Sequence, residues 1–360
     1  MHISVSLRIL GILLMLFSSA MVVPLVMALL AEDSTIPGFV SALGITFFSG
    51  LLIWFPVKNV RHDLRIRDGF LITSLFWTVL GLFGALPFAL TDALDLTPTE
   101  AIFESISGLT TTGATVIVGL DELPRSILIY RQLLQWMGGI GIIVVAVAVL
   151  PMLGIGGMQL YKAETPGPSK DSKLTPRITE TAKALFSVYL SLTIACAIAY
   201  YAVGMSAFDA IAHSLSTVAI GGFSTHDASM GYFQNDGILL VCSLFMCISA
   251  INFGLHFVAW RRRSLLVYNK DSETRFFLSV LTVCVVITCV FLIVSDTLEP
   301  GEGIIHGIFQ AISITTTTGF ATQNFALWPS FLPVMMLFFS FMGGCVGSTG
   351  GGIKAMRLML

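Results

Sequence analysis

Charge is scarce in this chain of 360 residues: Asp, Glu, Lys and Arg together make up 11% of it, against about a quarter in an ordinary soluble domain. Hydrophobic residues make up 55%, and the mean hydropathy is +0.89. No stretch outside the apolar runs is long enough for a separate soluble domain. Paired cysteines are lacking too. Cys196, Cys242, Cys247, Cys284, Cys289 and Cys345 all lie in apolar segments and none forms a Cys-x-x-Cys pair. This excludes a disulfide framework and a zinc site, and the thiols read as small buried hydrophobes. No nucleophile is placed beside a base, and His213, His226 and His306 have no ligand spacing. An enzyme is therefore not indicated, and the histidines read as structural. A net charge of −2 gives no reason to expect a nucleic-acid partner.

Long apolar runs are what the chain has instead. Residues 7–30 are apolar for long enough to span about 30 Å of hydrocarbon. The run is too long for a signal-peptide core, and no small-x-small cleavage site follows it. Further spans are expected at 37–57, 69–90, 127–150, 184–203, 237–257, 276–294 and from 332 onward. Short helices, too short to cross, are expected at 101–108, 207–216 and 303–312. Thr97-Pro98-Thr99-Glu100 is a good start for the first, with a capping threonine and proline at the first helical position.

After each short helix comes a polar, hydroxyl-rich loop. The three are Ser107-Gly108-Leu109-Thr110-Thr111-Thr112-Gly113, Ser216-Thr217-Val218-Ala219-Ile220-Gly221-Gly222 and Ser313-Ile314-Thr315-Thr316-Thr317-Thr318-Gly319. Each has a serine six residues before its last glycine. The copies are too far apart for a solenoid. Their spacing suits a repeated unit of two membrane helices and a re-entrant loop. The domain reading is then 1–67, an accessory helix pair; 68–153, the first repeat; 154–260, a polar linker and the second; and 261–360, the third.

Charge placement orients the chain. Of the 19 Lys and Arg, all but Arg125 and Arg131 fall in segments expected on one side. Basic residues stay cytoplasmic, so the N-terminus is predicted inside and all three loops enter from outside. Asp92, Asp95, Glu100, Asp121, Glu122, Asp296, Glu299 and Glu302 fall on the outer side, where an acidic vestibule would concentrate cations. Glu104, in the first short helix, is expected near the outer surface and hydrated. Asn252 is expected to pack within the second returning helix.

A polar loop at membrane depth cannot face lipid, because its amides and carbonyls would go unpaired. Three loops entering from one face can converge on one axis, each behind a helix C-terminus of partial negative charge. Their carbonyls could then replace a cation's hydration shell. The loops supply no carboxylate ring of the kind calcium or magnesium sites use.

These loops, the extra helix pair before them and the run Gly347-Ser348-Thr349-Gly350-Gly351-Gly352-Ile353-Lys354 resemble the bacterial Trk/Ktr potassium-uptake family, in particular its TrkH-type membrane subunits. The resemblance covers essentially the whole chain. It implies an all-α integral membrane protein in which outer helix–pore loop–inner helix units surround a pseudo-fourfold pore. It implies potassium ligation around Thr111, Thr112 and Gly113, around Ile220, Gly221 and Gly222, and around Thr317, Thr318 and Gly319, mainly by the carbonyls just before each glycine. It implies an intramembrane gate at Gly343, Gly344, Gly347, Ser348, Thr349, Gly350, Gly351 and Gly352. It also implies a homodimer in the bacterial inner membrane, carrying a cytoplasmic TrkA-type regulatory ring that binds NAD or ATP. The basic stretches 162–183 and 261–270 are the expected docking surfaces. The family has four loops and this chain shows three, so a truncated chain is expected.

Other readings of the same features fail on spacing. In the glycine-rich run no lysine follows the second glycine of a phosphate loop, and Val346 stands where a hydrolase elbow needs glycine. A secondary carrier, coupling cation uptake to protons or sodium by alternating access, is the alternative. Such carriers often use inverted repeats, whereas these run parallel.

The topology has a direct test. A reporter fused after residue 95 is expected to be external and one fused after residue 265 cytoplasmic, and the reverse pattern would overturn the orientation.

Overall fold

The computed structural model describes residues 3–60, 66–152, 178–329 and 331–360. The linker basic residues Lys162, Lys170, Lys173 and Arg177, and Arg61 and Arg65 of the earlier basic loop, lie outside the described residues. The chain folds as two compact units, Met1–Lys183 and Ala184–Leu360. Among the described residues, the helices long and apolar enough to cross a membrane are Ile3–Ala31, Ile36–Val57, Phe70–Ala89, Ala182–Ala202 and Ser272–Val294.

In the first unit, the opening span is two helices, Ile3–Ala20 and Val22–Ala31. The break has a local cause. Pro24 cannot donate to the Ala20 carbonyl four residues back, and its ring crowds that group. The span ends at Glu32 in a left-handed conformation (φ 51°). Asp33 then accepts hydrogen bonds from the Thr35 amide at 2.9 Å and the Ser126 hydroxyl at 2.8 Å. The accessory pair is thereby tied to the start of helix Arg125–Met152. Leu10, Leu14, Phe17, Phe39, Phe88 and Tyr130 form its buried core.

The first repeat follows as a leading helix, the short helix Pro98–Leu109 and the returning helix Arg125–Met152. The leading helix carries a π-helical turn at Phe76–Leu80. Just past it, the Gly81 carbonyl accepts from the Ser105 hydroxyl at 2.7 Å and the Gly84 carbonyl from the Tyr130 hydroxyl at 2.9 Å. The returning helix crosses the short helix so closely that a Cβ on Gly138 would lie 1.8 Å from the Leu109 carbonyl oxygen. It also leaves helical geometry at Gly141 (φ 60°, ψ −167°), a break not expected in the run 127–150.

The second unit holds the third repeat and the second from Ala184 on. The second comprises Ile178–Ala202, the short helix Ala207–Ala219, and Asp236–Ser249 with Phe253–Arg262. The last pair corrects the expectation of one helix over 237–257, because the two halves meet at 95°. The reason is Asn252. Its side chain lies against Gly347 and also caps the second half, accepting from the Gly254 amide at 2.7 Å, a role Asn favours over a helix interior. The third repeat comprises Ser272–Val294, the short helix Pro300–Thr315 and Leu332–Ser340. Cys284, Leu292, Ala311, Trp328, Leu332 and Met336 form its core.

Gly138→Ala forces backbone apart where nothing flexible can give, and is expected to destabilise by roughly 1–3 kcal/mol. Gly44→Ala, with no described neighbour within 4 Å of the added carbon, is expected to be neutral or stabilising. Thermal unfolding of the two variants in detergent checks the contrast.

Candidate functional site: three strained loops and a glycine-rich plug

The first two short helices begin at a side-chain cap and the third at a proline. Thr97 and Glu100 form a reciprocal capping box, Ser206 accepts from the Asp209 amide, and Pro300 opens the third helix. The Glu100 carboxyl is held below its ordinary pKa by hydrogen bonds from the Thr97 backbone and then the Thr97 hydroxyl. The far ends are alike in all three copies. The amides of Thr112, Gly221 and Thr318 donate to the carbonyls of Ser107, Ser216 and Ser313, each at 2.9 Å. The amides of Thr111, Ile220 and Thr317 donate to Gly108, Thr217 and Ile314 at 3.0, 3.1 and 3.0 Å. This pair of bonds is a Schellman cap, which turns the chain through one left-handed residue.

That residue is usually glycine. Here it is Thr111 (φ 53°), Ile220 (φ 54°) or Thr317 (φ 66°), each β-branched. A left-handed conformation costs such a residue on the order of 1–2 kcal/mol and persists only where the surroundings over-determine it. Two residues on, Gly113, Gly222 and Gly319 are left-handed again at 77°, 82° and 88°, while the residue between has negative φ. Nine residues singled out from sequence thus form three copies of one backbone shape.

The hydroxyls brace it. Ser107 Oγ donates to the Ala114 carbonyl and Ser313 Oγ to the Phe320 carbonyl, both at 2.6 Å. The Oγ1 atoms of Thr110 and Thr112 lie 2.8 Å apart, and those of Thr316 and Thr318 lie 2.7 Å apart. In the second unit the second and third loops touch directly. A Cβ on Gly222 would lie 2.0 Å from the Thr318 carbonyl oxygen, so this position needs glycine for space as well as for φ.

The glycine-rich stretch is a folded plug rather than a helix. The Cys345 amide donates to Ala250 at 2.8 Å, and Phe253 donates to Gly347 at 2.9 Å. The plug thus satisfies backbone groups that the break in the second returning helix sets free. Thr349 Oγ1 donates to the Val218 carbonyl at 2.9 Å and is 3.3 Å from the Ser249 carbonyl. The Gly351 amide donates to Thr317 Oγ1 at 2.8 Å, which ties the plug to the third loop itself. Lys354 Nζ donates to the Gly350 carbonyl and Ser348 Oγ to the Cys345 carbonyl. Glu273, not singled out in the sequence, closes both ends. Its Oε1 accepts from the amides of Val346 at 2.7 Å and Met356 at 3.1 Å. Its only signal was a carboxylate in the first turn of an otherwise apolar span.

One charge is elsewhere than expected. Glu104 is not hydrated, and it meets Arg131 of the returning helix. Both are fully buried and paired at 2.7 Å, because the returning helix carries Arg131 inward to the middle of the short helix. Of the histidines, His213 and His306 bond to neighbouring hydroxyls, and His226 stacks on Tyr232 with ring centroids 3.5 Å apart. Cys196, Cys242, Cys284 and Cys345 are buried free thiols.

Residues 36–360 match the family described as TrkH, cation transport protein. The chain is 57% identical to the Trk system potassium uptake protein TrkH of Halomonas elongata over 360 residues, covering 100% of this chain and 75% of that protein. It is 51% identical to TrkH of Escherichia coli K12 over 361 residues, again covering 100% of this chain and 75% of the relative. The crystal structure of the potassium transporter TrkH from Vibrio parahaemolyticus superposes with a TM-score of 0.89 at 51% identity, covering 100% of this chain and 74% of that one. The repeated helix–loop–helix units with their shared strained turn are therefore those of a multi-pass membrane transporter and not of an enzyme, and the chain belongs to the TrkH family of cation transport proteins.

Proposed function

We propose that this chain forms the pore of a potassium-uptake system of the bacterial inner membrane, with its N-terminus in the cytoplasm. Potassium passes along carbonyls of Thr111, Thr112, Ile220, Gly221, Thr317 and Thr318. The observation that carries this reading is the threefold repetition of one strained backbone shape, in a chain closely related to proteins named for potassium uptake. Alternating the sign of φ turns successive peptide planes over, which brings carbonyls that would otherwise oppose each other to one side. Such a row can substitute for the water around a cation of potassium's size. The helix in front of it adds the partial negative charge of its C-terminus.

The plug from Gly343 to Gly352 acts as the gate in this reading. Its ties to Val218, Ser249 and Thr317 support that role, since they link it to the turn that shapes the filter. The pore works as a homodimer under a cytoplasmic TrkA-type ring that binds NAD or ATP. The basic segments 162–183 and 261–270 are the docking surfaces for that ring.

In the full-length protein, Gly113→Ser is expected to lower discrimination between potassium and sodium in a strain lacking other potassium uptake. Unchanged discrimination would remove the first loop from the filter. Thr349→Val deletes the hydroxyl that holds the plug, worth about 1 kcal/mol per hydrogen bond. It is expected to raise the unregulated potassium flux several-fold, and a flux equal to or below the parent's would argue against a gate.

A further inference from the structure

Behind the three loops, one position carries the same task with three chemistries. Nine residues before the loop glycines Gly113, Gly222 and Gly319 stand Glu104, His213 and Gln310. All three are completely buried. Each reaches from within its short helix to the limb of chain beyond the glycine. Glu104 accepts from the Val116 amide at 3.1 Å and from the Thr115 hydroxyl at 3.0 Å to each oxygen. His213 Nε2 lies 2.9 Å from Ser224 Oγ, with Nδ1 2.9 Å from the Asp209 carbonyl. Gln310 Oε1 accepts from the Thr322 amide at 3.5 Å. One helical turn earlier a second tether recurs: Asp209 accepts from the Thr225 hydroxyl at 2.8 Å, and His306 Nδ1 lies 2.9 Å from Thr322 Oγ1. Glu100 occupies that place in the first repeat and bonds instead to Thr97.

Of the three residues at the first position, only that of the first repeat belongs to a carboxylate–guanidinium pair. Arg131 Nε donates to Glu104 Oε1 at 2.7 Å, and its Nη2 donates to Thr115 Oγ1 at 3.0 Å. Guanidinium, carboxylate and hydroxyl thus close a triangle on the limb just past Gly113. A buried pair of this kind adds little net stability over a well-packed apolar substitute. What it does add is direction, because guanidinium and carboxylate bond in few geometries. The limb needs that direction. Thr111 sits in a conformation it would leave if the chain on the far side of Gly113 were free to move.

We propose that Glu104 and Arg131 are a positioning pair for the first loop. They hold Thr115 and Val116, and through them the carbonyls of Thr111 and Thr112, so that this wall of the pore is fixed by charge while the other two are fixed by an imidazole and an amide. Neither residue touches the ion. The discrimination between potassium and sodium then depends on the pair, because a wall that can move inward also fits the smaller ion. This proposal rests on the loops being the selectivity filter.

The test uses the full-length protein reconstituted in vesicles, reading the potassium-over-sodium uptake ratio together with gel filtration and thermal unfolding. Glu104→Gln keeps the shape and removes the charge. Thr115→Val removes the hydroxyl at the centre of the triangle and leaves the ion pair intact. Both are expected to lower the ratio by a factor on the order of ten, as losing one charge-assisted hydrogen bond would. Glu104→Asp is expected to recover part of it. If folded Glu104→Gln and Thr115→Val proteins keep the parental ratio, the positioning role is wrong. A merely structural role would reduce the yield of folded protein and leave the ratio of the remainder unchanged. Should Glu104→Gln not fold, Thr115→Val decides. Gly113→Ser in parallel separates the two readings: if it relaxes the ratio while the pair variants do not, the filter stands and the pair falls, and if it too leaves the ratio unchanged, the filter reading fails at this loop.

Discussion

Every backbone amide and carbonyl at membrane depth needs a partner, since lipid supplies none. Much of this structure follows from that constraint. A helix that stops inside a membrane exposes several unpaired carbonyls, and three short helices stop here. Each closes with the same two Schellman bonds and accepts a β-branched residue in a left-handed conformation to do so. The same constraint explains the glycine-rich plug. The second returning helix breaks after Ser249 and leaves a carbonyl at Ala250 and an amide at Phe253, and the plug supplies a partner for each. Broken helix and plug are two halves of one hydrogen-bonding solution.

Side chains take a supporting part. Hydroxyls of Ser107 and Ser313 hold the carbonyls just past their glycines, and Thr349 and Thr317 join the plug to the loops. The carboxylates do not present themselves at the loops as ligands. Glu104 and Glu273 are spent on holding backbone amides in place. Main-chain carbonyls and threonine hydroxyls are then the oxygens at the loops themselves.

The spans at 7–30, 37–57, 69–90, 184–203 and 276–294, the three short helices and the loop glycines were legible in the sequence, because apolar run length and Gly/Thr patterning are local signals. The cap at Thr97 was legible for the same reason. The bend at Asn252 was not. A single polar residue in an apolar run reads as a packing contact, and the break it caps is completed by a plug some ninety residues further on. Glu104 was misplaced because position along a short helix does not say which face is turned to solvent, and its partner Arg131 lies across a loop in a different helix. Glu273 went unremarked because its partners are main-chain amides, which have no sequence signature.

The sequence by itself determined that this chain spans a membrane repeatedly and that three polar loops lie within it, since hydropathy and charge asymmetry are properties of each segment alone. Only the tertiary structure decided what holds those loops in a strained conformation. Segments distant in the chain meet around them: a buried ion pair lies behind the first loop, a carbonyl is pressed against Gly222 at the second, and a plug is bonded to Thr317 at the third. Strain in a turn is invisible in its residues, because the turn persists only through what is packed around it.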